Sequence, residues 1–260
     1  NLLLSRLETA VQEIRRFTAD ASHEIRTPLA ALRAEADLAL LRVRTPGEYQ
    51  QALQIIVNEA ERLGRLADQL LDLSRTDAGA VQRALHPVSI DEILHETVDH
   101  LQVLAEQRNI RLTLESGLCG AVPGDAFRLS MVCTNLIENA IKYSHPGGQI
   151  RVSCRPDGSF TVVEVADDGI GISAEHLPKV FDRFFRADSS RSTGGAGLGL
   201  SIAQSIIRAH GGEISVTSEP GEGTVVTVRL PQATGSVHAE HNRRQPEHVS
   251  SERQLAAIDH

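Results

Sequence analysis

At 260 residues the chain is long enough for one or two domains, and its hydrophobic content of 41% is ordinary for a globular protein, yet aromatics make up only 3% and Trp is absent, so the core must be aliphatic. A net charge of −8 with a pI near 5.8 excludes general affinity for nucleic acid, which needs clustered Lys and Arg. Three cysteines, Cys119, Cys133 and Cys154, are an odd number without CxxC spacing, which fits reduced thiols better than a disulfide framework or a zinc site.

No run of about 18 apolar residues occurs, so no membrane span is expected. The opening NLLLSRLETA lacks a signal-peptide layout and starts in mid-helix pattern, as expected of a piece of something longer. From Leu4 the apolar positions Leu7, Val11, Ile14, Ala21, Ile25, Leu29, Leu32, Ala36 and Ala39 follow three-four steps, broken only by Thr18, and predict a helix packed as a coiled coil or bundle. At about 100° per residue, Thr27 lies roughly 40° around that helix from His23, so the two share a face. Pro28 follows at once; its missing N–H leaves the Glu24 carbonyl without its usual partner, and a kink or loosening is expected beside His23.

Thr45, Pro46 and Gly47 read as a turn, after which Leu53, Ile56, Ala60, Leu63, Ala67, Leu70 and Ser74 repeat the helical spacing. Two helices joined by a short turn form an antiparallel hairpin, which needs a second copy to complete a four-helix core. Residues 78–87 read as a linker. Beyond it, helices are predicted over 90–106, 125–143 and 198–210, and strands over 110–115, 149–154, 160–166, 213–217 and 224–230. This mixture predicts an α+β sandwich with helices on one face of a mixed sheet. From Gln232 the chain is polar and aperiodic, and 232–260 is expected to be a disordered tail.

The second half carries the chemistry. Asn135, Glu138, Asn139 and Lys142 project from one side of a helix; oxygen donors suit Mg²⁺ and an ammonium suits phosphate, although a solvated polar face has the same spacing. Asp167-Asp168-Gly169-Ile170-Gly171 closes a strand, where glycines allow close backbone approach and a carboxylate can accept from an exocyclic amine. Gly195, Gly197 and Gly199 lie in a run through Leu200 that leads into the helix over 198–210, in neither P-loop nor dinucleotide spacing. A lid over phosphates fits better, with Arg183 and Arg186 as candidate phosphate contacts and Phe181, Phe184 and Phe185 anchoring it.

Taken in order, HEIRTP, NLIENAIKYS, DDGIGI, FDRFFR and GGAGLGL resemble the H, N, G1, F and G2 boxes of bacterial two-component sensor histidine kinases, over roughly residues 1 to 231. The resemblance implies a signal-carrying helix over 1–16 following a HAMP module, a dimerisation and phosphotransfer hairpin over 17–77, and a Bergerat-type ATP-binding domain over 88–231. It implies a homodimer that autophosphorylates His23 from Mg-ATP and passes the phosphoryl group to an aspartate of a response regulator. Glu24 would be the acid-base neighbour and Thr27 would assist dephosphorylation of the regulator. Asn135 and Asn139 would serve Mg²⁺, Lys142 the phosphates, Tyr143 the nucleoside, and Asp167 the adenine amino group with Gly169 and Gly171 beside the base. The full-length protein would sit at the cytoplasmic face of the inner membrane through segments preceding this stretch. Asp168, where the family usually has Asn, adds a charge that could weaken nucleotide binding, and Ala196 lacks a hydroxyl common in the lid. A nucleotide-binding scaffold without transfer, or a gyrase-like ATPase, are the rival readings; the amide at Asn135, where such ATPases carry a carboxylate, counts against the last.

Overall fold

The computed structural model describes residues 2–77, 86–117, 119–186 and 196–233. The tail beyond Ala233, most of the expected linker and Gly195 lie outside the described residues.

Two long helices open the chain, α1 (Leu2–Leu40) and α2 (Pro46–Asp77), packed on each other as a hairpin. The reversal is shorter than expected, because Pro46 and Gly47 belong to the first turn of α2. Thr45 is the cap: the Glu48 N–H donates to Thr45 Oγ1 at 3.3 Å, and Glu48 Oε2 accepts from the Thr45 N–H at 2.8 Å. This reciprocal box, with proline at the first helical position, satisfies donors that a helix start leaves orphaned. The Thr45 N–H, and the Thr45 hydroxyl donating to the same carboxylate oxygen at 3.0 Å, hold the Glu48 carboxyl below its ordinary pKa.

The seam between α1 and α2 is offset from the expected one. Pro28, Ala52 and Leu66 are buried, flanked by half-buried Glu24, Leu32, Ile56 and Leu63. Ile25, Leu29 and Leu53, expected inside, are 40%, 56% and 60% exposed. The apolar stripe is wider than one antiparallel neighbour can cover, so one flank is buried and the other stays bare. Helix α1 runs unbroken past Pro28, whose ring occupies the seam.

The second unit begins with β1 (His86–Val88), so His86 and Pro87 are strand rather than linker. It continues through α3 (Ile90–Gln107), β2 (Arg111–Ser116), β3 (Val122–Gly124), α4 (Ala126–Tyr143), β4 (Gln149–Asp157), β5 (Phe160–Asp167), a short 3₁₀ turn (Leu177–Lys179), α5 (Gly199–Ala209), β6 (Glu213–Glu219) and β7 (Gly223–Pro231). The main sheet has the order β2-β4-β5-β7-β6, with β2 parallel to β4 and the remaining pairs antiparallel; β1 and β3 form a separate two-stranded ladder. Its core is aliphatic, centred on Leu94, Ile137, Ile141, Ile150, Ile202, Ile206 and Ile207. Each such side chain, fully withdrawn from water, stabilises the fold by about 1.5–3 kcal/mol.

Polar ties set the helices on this core. Ser89 caps α3 by accepting from the Glu92 N–H, and Asp125 caps α4 by accepting from the Arg128 N–H at 3.2 Å. His210 is buried at the end of α5; its Nδ1 donates to the Ile206 carbonyl at 2.8 Å, and its Nε2 accepts from the Asp125 N–H at 3.1 Å. One neutral imidazole thereby joins the end of α5 to the start of α4.

The cysteine expectation is corrected. Cys119 and Cys154 form a disulfide, and only Cys133 is a free thiol. Parallel pairing sets Ser116 opposite Cys154, and the chain turns at Gly117, whose N–H donates to the Cys154 carbonyl at 3.1 Å, so Cys119 returns over β4. Spacing along the chain carries no trace of that register. Among the described residues no helix is long and apolar enough to cross a membrane.

Candidate active site

His23 and Thr27 stand exposed on the same face of α1, as their spacing predicts. Thr27 Oγ1 donates back to the His23 carbonyl at 3.2 Å, an i to i−4 side-chain bond of the kind that bends helices. His23 opens onto a cleft of about 340 Å³ lined on one side by Asp20 and Glu24 and on the other by Asp182, Arg183, Phe184 and Phe185. The acceptor-like histidine of the hairpin and the phenylalanine-rich segment of the second domain therefore share one cleft.

Phe17 makes that junction. Its ring lies 5.9 Å from that of Phe184, and the Arg183 guanidinium sits 5.3 Å above it. Leu66 belongs to the same apolar core as the second domain, with Phe17, Leu70 and Phe184 packed against it. Phe184 holds a positive φ of 61°, a rare conformation for a bulky residue that persists only where packing enforces it. Gly197 faces it: a Cβ there would meet the Phe185 carbonyl oxygen at 2.7 Å. Arg183, read from sequence as a nucleotide contact, is thus placed on the hairpin side, in the His23 cleft. Phe17, Asp20 and Asp182 were not anticipated there; the clustering of Phe within FDRFFR was the signal for an anchor, but not for its partner.

The second group gathers around α4. Asn135, Asn139, Lys142 and Tyr143 are all half-buried along it, while Glu138 is exposed. Asn135 Nδ2 donates to the Gly199 carbonyl at 3.3 Å, and a Cβ on Gly199 would strike Asn135 Oδ1, so the start of α5, with Leu200 in its first turn, is fitted against α4. Lys142 Nζ lies 4.7 Å above the Tyr143 ring.

At the end of β5, Asp167 Oδ1 accepts from the Gly169 N–H at 3.0 Å. Burial raises the Asp167 pKa above its ordinary value, opposed by hydrogen bonds from the Gly169 and Thr224 backbone and reinforced by Asp168. The following segment is clamped on both sides: the Ile170 N–H donates to the Tyr143 carbonyl at 3.1 Å, the Gly221 N–H to the Ile170 carbonyl at 2.9 Å, and the Ile172 N–H to Ser218 Oγ at 2.8 Å. Side chains at Gly169 or Gly171 would run into the Tyr143 or Glu219 carbonyl, which is why both are glycine. Asp168 is exposed, and its carboxylate accepts from the Gln149 N–H at 2.9 Å, so the added charge fastens the start of β4. Arg186 is half-buried where the described part of the lid segment ends.

Two family models match this chain. Residues 13–79 match the His Kinase A (phospho-acceptor) domain, and residues 124–234 match the histidine kinase-, DNA gyrase B- and HSP90-like ATPase domain. Sensor protein SrrB of Staphylococcus aureus (strain NCTC 8325 / PS 47) is 36% identical over 221 residues, which covers 83% of this chain and 38% of SrrB. The chain thus spans 38% of the length of that relative. Among solved structures, histidine kinase ThkA in complex with response regulator protein TrrA superposes with a TM-score of 0.71 at 25% identity, covering 87% of this chain and 64% of that one. Full-length ShkA in complex with AMPPNP gives a TM-score of 0.64 at 26% identity, covering 84% of this chain and 46% of ShkA. The fold is also that of Acinetobacter baumannii AdeS, with a TM-score of 0.66 at 22% identity over 81% of this chain and 98% of that one. With its phospho-acceptor hairpin and its ATP-binding domain in this order, the chain belongs to the two-component sensor histidine kinases, of which it is the catalytic core.

Proposed function

We propose that this core autophosphorylates His23 from Mg-ATP, hands the phosphoryl group to an aspartate on the receiver domain of a response regulator, and, through Thr27, also promotes loss of phosphate from that regulator. The observation that carries the reading is the shared cleft, with the exposed His23 on one wall and Asp182–Phe185 of the ATP-binding domain on the other. ThkA, solved with its regulator, supports the partner class.

His23 Nε2 must present a lone pair, so the imidazole proton belongs on Nδ1. Glu24 lines the same cleft; it would accept from that nitrogen, select the tautomer and stabilise the cation that develops as Nε2 attacks. A bond forms from Nε2 to the γ-phosphorus while the bond to the β,γ-bridging oxygen breaks, and ADP leaves. Lys142 and an arginine offset the charge on the transferring group. Asn135 and Asn139 would hold Mg²⁺, which would supply further neutralisation of the phosphates; their amide oxygens are hard donors. Asp167 would accept from the adenine amino group. The bare flank of the hairpin, with Ile25, Leu29, Leu53 and Val57, would be covered by a second copy to give the homodimer.

Incubation with γ-labelled ATP tests the proposal. An acid-labile label on wild type that is absent from His23→Gln is expected. Bound but untransferred nucleotide would identify a scaffold instead, and released phosphate without protein label an ATPase. For Thr27→Ala, autophosphorylation should persist while regulator dephosphorylation slows.

A further inference from the structure

Cys119 and Cys154 are bonded across 35 residues of sequence. Cys154 is buried in β4, whereas Cys119 is only half-buried and reaches solvent from the loop between β2 and β3. That loop has a defined seat: the Gly120 carbonyl accepts from Thr161 Oγ1 at 3.2 Å, and the Ala121 carbonyl accepts from the Ala233 N–H at 2.8 Å. Directly after it come β3, then Asp125, which caps α4 and donates its N–H to His210. Helix α4 carries Asn135, Asn139, Lys142 and Tyr143. The disulfide therefore pins the segment that sets the start of the nucleotide-site helix.

We propose that Cys119 and Cys154 form a thiol–disulfide exchange site whose reactants are small-molecule thiols and disulfides of the glutathione class, and that its redox state sets the affinity of the α4 pocket for nucleotide. The second clause rests on the nucleotide reading above. In the oxidising direction the Cys119 thiolate, formed by loss of its proton to solvent, attacks a sulfur of R–S–S–R, giving a mixed disulfide and one RS⁻. Cys154, likewise deprotonated, then attacks the Cys119 sulfur and expels the second RS⁻. Two electrons pass from the protein to the small disulfide, and two protons end on the released thiols. Reduction runs the same steps backwards and begins at the half-buried Cys119. Cys133 takes no part: it is buried on α4, and burial pushes its thiol up to about 12, so it remains protonated and out of reach. With the crosslink opened, the loop and the α4 cap lose a covalent restraint and the pocket becomes less preorganised.

The test equilibrates the 260-residue chain in glutathione buffers of graded thiol-to-disulfide ratio, counts free thiols by mass after acid quench and alkylation under denaturing conditions, and measures the dissociation constant of a fluorescent ATP analogue at each ratio. One free thiol at the oxidising end and three at the reducing end are expected. Affinity should be weaker by about five-fold in the reduced form, the lower end of ordinary allosteric coupling. Cys119→Ser should show the weak value at both ends. Three thiols at every ratio, one thiol at every ratio, or equal affinity in the two forms would each overturn the proposal. Absence of nucleotide binding at both ends would instead overturn the nucleotide assignment and the coupling with it, while the thiol count still decides the exchange site.

Discussion

Replacing Gly171 by alanine puts the geometry of the nucleotide pocket to a quantitative test. The residue has a φ of +68°, and a Cβ there would run into the Glu219 carbonyl at the end of β6. Left-handed backbone alone costs about 1 kcal/mol for alanine. The collision adds more, because neither side yields without loss: the Gly221 N–H bonds the Ile170 carbonyl at 2.9 Å, and the Ile172 N–H bonds Ser218 Oγ at 2.8 Å. Separating the segments forfeits both bonds, roughly 0.5–1.5 kcal/mol each. The sum is about 2–4 kcal/mol. Gly158→Ala is the control, with a φ of +59° and nothing within 4 Å of the added Cβ, so it should cost only the backbone part of about 1 kcal/mol. Urea denaturation of both variants, with nucleotide titration alongside, separates the two contributions. Gly171→Ala should also weaken nucleotide binding, and Gly158→Ala should not. Equal destabilisation by the two substitutions would refute the claim that close approach, rather than φ, is what demands glycine at 171.

Asp167 has a raised pKa through burial, so its proton is held more tightly in the folded state than in the unfolded one. Its contribution to stability is therefore fullest below the unfolded pKa and declines as pH rises through the folded one; Asp167→Asn should leave the nucleotide-free protein as stable or more stable at pH 7, seen by thermal melting, while weakening nucleotide binding. Wild-type nucleotide affinity should fall on acidification through the mildly acidic range, and a flat profile would remove Asp167 from the base contact. His210→Ala deletes the partner of the Asp125 N–H and the bond to Ile206, a loss of about 2–3 kcal/mol by urea denaturation; less than 1 kcal/mol would mean the tie between α4 and α5 is unimportant. A charge on the bare flank, as in Leu53→Glu, should shift the protein from dimer to monomer in sedimentation while nucleotide titration is unchanged, and a persisting dimer would place the interface elsewhere.

Much of this architecture was written in local pattern. The apolar periods gave the hairpin and the larger strands to within a few residues, because a helix or strand that buries one face must repeat it at its own period. The short strands β1 and β3 were not visible, since three residues such as His86–Val88 and Val122–Gly124 carry no period, only a pairing partner. The hairpin seam was misassigned at Ile25, Leu29 and Leu53 for a related reason: a stripe broad enough for two neighbours does not say which flank meets which. The Thr45–Glu48 box was readable as T-x-x-E, and reading Thr45-Pro46-Gly47 as turn alone placed the start of α2 late. The grouping of Asn135, Asn139, Lys142 and Tyr143 followed from helical spacing, whereas the meeting of Phe17 with Phe184 and the bond between Cys119 and Cys154 are long-range facts of packing.

Pro28 gives α1 the mechanics of a geared lever. Its ring is wedged in the seam and the Glu24 carbonyl lacks an amide donor, so the helix is softest at one point while the rods on either side stay stiff. With a rise of 1.5 Å per residue, Leu2 lies about 39 Å from that fulcrum and His23 about 7.5 Å. A tilt of about 10° there sweeps Leu2 through roughly 7 Å but moves His23 by only about 1.3 Å. A coarse displacement arriving at the far end is thereby stepped down about five-fold to the scale of a single hydrogen bond at the cleft.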